Sequence, residues 1–262
     1  MLTDYHVHSK YSFDSEAEID KIIESAINKG IGKIAITDHF DPYEKDRTYE
    51  VYDRLACKEE IFLAKEKYRG KIDIIYGIEL GQVHTYEKEC TDLLNKMGYE
   101  FIICSLHNLR GDLDLYYLEY TQDNYKTYMD NYMSELLETA NFHDYDVLAH
   151  LDLPKRYVKP FDFDILDYPV ILDKVLKTAI EKGRGIELNL SGLRQGLGEP
   201  LPKIEVLKRY KELGGEIITL GSDAHYPGHV GANLEDGFEI LKEAGFKYFT
   251  VYENRKPQFI KI

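Results

Sequence analysis

Six of the nine histidines in this chain stand at or just beyond the end of an apolar, strand-like run. His6 and His8 follow residues 2–5, His39 follows 34–38, and His107 follows 101–104. His150 follows 147–149, and His225 ends the run 217–224. Most have a carboxylate close by. An imidazole is scarce and expensive to bury, so folding alone gives no reason to repeat one at the same point of successive units. Metal coordination does, because imidazole nitrogens and carboxylate oxygens suit Zn, Mn or Fe. A fold for this chain must bring those strand ends together.

Short β-branched runs alternate with stretches of helical period, which argues for strand–helix units and a parallel sheet. Ser15 followed by Glu18 reads as a capping box, with Ile19, Ile22, Ile23, Ala26 and Ile27 on one helix face and Gly30 as the stop. Strands are expected at 2–5, 33–37, 72–78, 101–104, 147–149, 185–190 and 216–220. Helices are expected near 51–68, 86–96, 124–139, 170–182, 203–213 and 234–244. Residues 248–252 and 258–260 either pair around Asn254 or extend apart. Candidate ligands follow six of the seven strands, all but the sixth. An open doubly wound sheet gathers fewer strand ends at its switch point, whereas a closed barrel gathers all of them on one rim. The expectation is therefore an α/β chain forming one domain over 1–262, a TIM-like (β/α)7 barrel, seven-stranded because no clear eighth unit exists.

Length fits that reading, since 262 residues can bury roughly three quarters of their unfolded surface in one core. The formal charge of −14 argues against nucleic acid as a partner. No run approaches the roughly 20 apolar residues of a membrane span. Cys57, Cys90 and Cys104 are odd in number and widely spaced, which favours a reduced, cytoplasmic location. Nothing in the pattern speaks for an oligomeric state.

The local chemistry sharpens the metal reading. Residues two apart on an extended strand project to the same side, so His6 and His8 can reach one ion. Asp223 and His225 repeat that spacing with mixed donors. In Asp38-His39 the side chains diverge, so one can ligate while the other holds a neighbour. Glu79 ends an apolar run and needs charge compensation, which two ions bridged by its oxygens would supply. Asp14 precedes the first helix, where it can simply favour the N-terminus. His84, His143 and His229 lack the strand-end placement. The surplus of donors over the three or four ligands of a zinc site suggests two or three adjacent ions, an arrangement suited to hydrolysis.

His6-x-His8, Thr37-Asp38-His39, Ser105-x-His107 and Ser222-Asp223-x-His225, taken in order, resemble the four motifs of the polymerase-and-histidinol-phosphatase (PHP) superfamily. The stretch from Asn189 to Pro200, with His150-Leu151-Asp152-Leu153, resembles its histidinol-phosphatase branch. The likeness runs over nearly the whole chain. It implies a distorted seven-stranded PHP-type barrel with a trinuclear centre that hydrolyses L-histidinol phosphate to L-histidinol and phosphate in histidine biosynthesis. By the family pattern His6, His8, Glu79 and Asp223 hold one ion, Glu79, His107 and His150 a second, and His39 with His225 a third. Some relatives carry histidine at the position of Asp14; here aspartate joins the ligand set and shifts its preference toward a harder metal.

A phosphate dianion needs cations in this acidic chain. Arg194, after the sixth strand, is the first choice and Arg156 the next, because a planar guanidinium matches phosphate oxygens. Lys155, Arg110 and Ser191 are further candidates. The expected chemistry is in-line attack on phosphorus by a hydroxide held between the ions, oriented by Asp223, with His225 or a bound water protonating the leaving alkoxide. The ammonium and imidazole end of the substrate has candidates at 40–49, Gln82, 110–120 and Asp152. Three other readings compete. One is a PHP phosphoesterase acting on another small phosphomonoester or a nucleotide. The others are a metal-dependent amidohydrolase and a non-catalytic, metal-stabilised protein.

Overall fold

The computed structural model describes residues 1–43 and 53–262. Its centre is a parallel sheet whose main path contains seven strands: Leu2–Asp4 (β1), Ile31–Ile36 (β2), Asp73–Gly81 (β3), Phe101–Ser105 (β4), Val147–Leu148 (β5), Gly185–Asn189 (β6) and Ile218–Gly221 (β7). They neighbour one another in chain order. The two outer strands then meet through irregular backbone bonds. Tyr5 N–H donates to Leu220 O (2.8 Å), Asp223 N–H to His6 O (2.9 Å) and His8 N–H to Ala224 O (2.9 Å). A parallel bridge between Val7 and Ala224 completes the turn. The result is the expected distorted, nearly closed (β/α)7 barrel, and its closure lies among the metal-motif residues themselves.

Helices cover the outside because each carries one apolar face. In Ile19–Asn28 the buried residues are Ile19, Ile22, Ile23 and Ala26, and each buried isoleucine stabilises the packing by roughly 1.5–3 kcal/mol. Arg54–Lys67 buries Cys57, Ile61 and Ala64, again at helical spacing. No helix of the described residues is long and apolar enough to cross a membrane.

Several boundaries differ from the sequence reading. The capping box does not form: Glu18 occupies the N-cap with no side-chain cap bond. The Ser15 hydroxyl donates instead to the backbone carbonyl of His225 (2.9 Å), tying two motif loops together. Tertiary contact outcompetes the local cap. β3 continues through Glu79 to Gly81 rather than ending before the glutamate. The second helix begins at Arg54, capped by Asp53; the expected start at Val51 lies outside the described residues. The chain ends in an antiparallel hairpin, Tyr248–Glu253 with Lys256–Lys261. It turns at Asn254 and Arg255, both with positive φ, so the paired alternative is the one adopted.

Candidate metal centre

The strand ends deliver their side chains to one point, and Glu79 is its middle. β3 carries this fully buried carboxylate, and the two-residue strand His39–Phe40 pairs beside it so that His39 stands opposite Glu79. Glu79 Oε2 lies 3.1 Å from His6 Nε2, 3.5 Å from His8 Nε2 and 3.0 Å from His39 Nδ1. Its Oε1 lies 3.2 Å from His107 Nε2 and 3.0 Å from His150 Nε2. Asp223 Oδ1 adds a second acceptor, 3.9 Å from His6 Nε2 and 3.6 Å from His8 Nε2. At the outer edge His225 Nε2 is 2.9 Å and His39 Nε2 3.6 Å from Asp14 Oδ2. His8 lies stacked between His39 and His225, with centroids 4.3 and 4.1 Å away. All nine expected ligands thus occupy one cluster.

The backbone is bent to make this happen. His150 and Asp223 have φ of 24° and 54°, the left-handed region that non-glycine residues seldom occupy. Two glycines are required by close approach. A Cβ on Gly81 would fall 1.6 Å from Asp41 Oδ1, and one on Gly221 would fall 2.3 Å from Glu187 Oε1. Both carboxylates sit where a side chain would otherwise be.

The donor atoms fit metal ions. His6 Nε2, His8 Nε2, His39 Nδ1, Asp41 Oδ2 and Glu79 Oε2 are buried with no hydrogen-bond partner. Buried polar atoms are ordinarily satisfied, so a group of orphans aimed at one volume marks a missing common partner. Three triads have ligand atoms mutually within 4.8 Å: His6–His8–Glu79, His39–Glu79–His107 and His8–His39–His225. Such clustering suits two or three divalent ions. His8, His39 and Glu79 each belong to two of these triads.

Electrostatics point the same way. Burial alone would raise the Glu79 carboxyl, but His6, His39 and His107 hold it well below the usual range. Asp223 is held low, against burial, by His8, His6, His225 and Arg156. Burial would lower His6 and His39, yet the surrounding acids hold both well above an ordinary imidazole. His107 goes up to about 10 as Asp41 and Glu79 outweigh its burial. His8 is pushed down to about 3, by burial and then by His225 and His39. Buried acids here demand positive charge, and imidazoles supply it as protons where cations otherwise would. Metal uptake and proton release are therefore linked.

Asp41 and Glu187 were missed in the sequence. Asp41 is buried, with Oδ1 2.9 Å from His107 Nδ1 and Oδ2 3.1 Å from His39 Nδ1. Its distance of two residues from His39 repeats the His6–His8 spacing and was the available signal. Glu187 lies in β6, the one strand without an expected ligand, and its Oε1 is 2.6 Å from His6 Nδ1. A glutamate inside an apolar strand was the signal there, as it was for Glu79. Asp38 plays the supporting part: it accepts from Ser9 N–H and from the Ser9 and Ser12 hydroxyls.

The cationic candidates divide. Arg156 Nη2 donates to Ser191 Oγ (2.6 Å) and lies 3.5 Å from Asp223 Oδ2, while its buried Nε has no partner. Arg194 spends both terminal nitrogens on the backbone carbonyls of Ser222 and Asp223, each at 3.0 Å. Lys155 is engaged by Asp152 (2.8 Å) and Glu199 (2.7 Å). Arg110 is engaged as well: its guanidinium donates to Glu138, on the outer helix Tyr125–Ala140, and to the backbone carbonyl of His84. His84 itself is paired with Glu135 at 2.8 Å, His143 is exposed, and His229 meets Tyr226 edge-on.

Comparison with known proteins agrees with this geometry. Residues 4–191 match the PHP domain. A probable histidinol-phosphatase of Thermotoga maritima is 32% identical over 261 residues, covering all of both chains. A second, from Clostridium acetobutylicum, is 29% identical over 94% of this chain and 95% of that one. The crystal structure of histidinol phosphate phosphatase from Lactococcus lactis, complexed with zinc, L-histidinol and phosphate, superposes with a TM-score of 0.86. It covers 98% of each chain at 27% identity.

Proposed function

The chain belongs to the PHP domain family, and from that membership and the geometry above we propose that it is a histidinol-phosphatase. It hydrolyses L-histidinol phosphate to L-histidinol and inorganic phosphate with two or three divalent ions. The observation that carries this reading is the convergence of orphaned imidazole and carboxylate atoms on Glu79, with an arginine beside them. Bound ions would lower the pKa of an attacking water and neutralise charge on the phosphate oxygens. They would be held by His6, His8, Asp14, His39, Glu79, His107, His150, Asp223 and His225.

The remaining steps belong to the protein. Asp223 faces the ligand cluster through Oδ1 and Arg156 and Ser191 through Oδ2, so it orients the attacking water against a phosphate gripped by that pair. Arg156 leads in this role, reversing the order read from sequence, because its Nε is free inside the site whereas Arg194 braces the Ser222–Asp223 backbone. The proton for the leaving alkoxide enters from the rim, where His225 and Asp14 face each other.

For the rest of the substrate we assign Tyr43, Asn108 and Asp114. Tyr43 is two residues from Asp41 and Asn108 adjoins His107. The hairpin pairing of Asn108 with Asp114 brings both within 3.5 Å of the Tyr43 hydroxyl. Among the described residues no cationic side chain pairs with Asp114, which leaves its carboxylate for the substrate ammonium. Asn108 and Gln82 are buried with unpartnered amide atoms that suit an imidazole. The other expected loop, 40–49, lies largely outside the described residues.

We read 1–262 as one domain, supported by its continuous apolar core, and place it in the cytoplasm, supported by three free cysteines. Assay after chelation and re-metallation with Zn, Mn or Fe tests the function. L-histidinol phosphate should be turned over far better than generic phosphomonoesters, nucleotides or amides. Equal turnover of all phosphomonoesters would leave only a general PHP phosphoesterase.

A further inference from the structure

We propose that Glu187 is a positioning residue. It fixes which nitrogen His6 offers to the metal and ties that ligand to the phosphate-gripping arginine. The inference rests on the metal-dependent reading above. Glu187 is 1% exposed and comes from the one barrel strand that supplies no ligand. Its Oε1 takes a hydrogen bond at 2.6 Å from His6 Nδ1. An imidazole that donates from Nδ1 presents the lone pair of Nε2, and His6 Nε2 is the orphaned atom facing Glu79. The carboxylate thus selects the tautomer and holds the ring plane.

Oε2 faces the other way. It accepts from the backbone N–H of His150 at 3.3 Å, at a residue whose φ of 24° needs support. It also accepts from Asn189 Nδ2 at 3.1 Å. Asn189 Oδ1 in turn accepts from Ser191 N–H at 3.0 Å, and Ser191 Oγ accepts from Arg156 at 2.6 Å. An unbroken polar chain therefore runs from His6 through Glu187, Asn189 and Ser191 to Arg156. One carboxylate reaches two ligand histidines directly and the phosphate grip through two further residues. Gly221 gives it the space, since a Cβ there would overlap Oε1.

The test is metal affinity of Glu187→Gln, measured by competition with a chromophoric chelator on the full chain stripped of metal. Glutamine keeps the volume and an acceptor but loses the charge. Zn affinity should fall roughly 10–100-fold while the melting temperature of the metal-free protein stays near the parent's. Unchanged affinity in a folded variant overturns the proposal. Should the variant not fold, long-range proton–nitrogen spectra of the Zn-loaded parent, labelled with ¹⁵N-histidine, decide instead. His6 protonated at Nδ1 and metallated at Nε2 supports the assignment, and the opposite pattern ends it. Neither readout involves L-histidinol phosphate, so the substrate reading can fail without this one.

Discussion

The two ends of the barrel treat buried charge in opposite ways. At the end closed by the C-terminal hairpin, Asp146 accepts from Arg255 Nε (2.6 Å) and Ile102 N–H (2.8 Å). The Tyr5 hydroxyl exchanges hydrogen bonds with both backbone groups of Tyr252. Acid there meets guanidinium. At the opposite rim, acids meet imidazoles, and five buried donor or acceptor atoms around Glu79 face one another without a partner. The first end commits most of its polar groups to the fold, with Asp146 Oδ1 and Arg184 Nε left without a hydrogen bond; the second gathers its orphans around one carboxylate. Stability and function are separated along the barrel axis.

The sharpest way to break that comparison is at its centre. Glu79→Gln should lower turnover more than about a thousandfold, beyond the roughly 10–100-fold of a group that only supports a ligand. Circular dichroism should still report a folded chain. Arg156→Ala should reduce kcat/KM by about 100–1000-fold, the usual loss for one preorganised donor to a charged transition state. Arg194→Ala should act less on phosphate binding and more on the order of the Ser222–Asp223 turn. Equal losses in steady-state assays of the two would cancel the distinction drawn between them.

The opposite end should show the reverse pattern. Arg255→Ala should leave kcat/KM unchanged and cost about 2–3 kcal/mol in denaturant unfolding, somewhat under a fully buried pair because the arginine is a quarter exposed. Burial pushes the Asp146 carboxyl up to about 6 even against Arg255. An acid whose folded pKa exceeds its unfolded value loses stability as pH rises between the two. Removing the arginine raises the folded value further, so the variant's deficit should be smallest near pH 4 and grow above pH 6. The smallest expected effect concerns selectivity. Asp114→Asn should raise KM for L-histidinol phosphate about tenfold, one ion pair's worth, and leave p-nitrophenyl phosphate hydrolysis unaltered. Parallel changes on both substrates would remove Asp114 from the substrate site.

Much of the site was legible because its residues sit at fixed points of a repeating unit. His6, His8, His107, His150, Asp223 and His225 follow apolar runs whose period announces strands, and strand ends meet wherever a parallel sheet closes. Glu79 stood out as an acid inside such a run. Asp41 and Glu187 carried local signals of the same kind, but their partners His107 and His6 lie 66 and 181 residues away, and no local pattern carries that distance. The pairing of Arg110 with Glu138 was hidden for the same reason, since proximity to His107 in sequence says nothing about a helix that only packing brings near.

By itself the sequence pointed to the barrel, to most of the clustered donors and to the chemistry those donors favour, since side-chain period and donor type are local properties. Only the tertiary structure shows which donors lie together, which arginine keeps an unpartnered nitrogen beside Asp223 and which acids stand behind the histidines. Those choices depend on angstrom-scale approach between strands far apart in the chain, and on backbone strain at His150 and Asp223 that no residue pattern encodes.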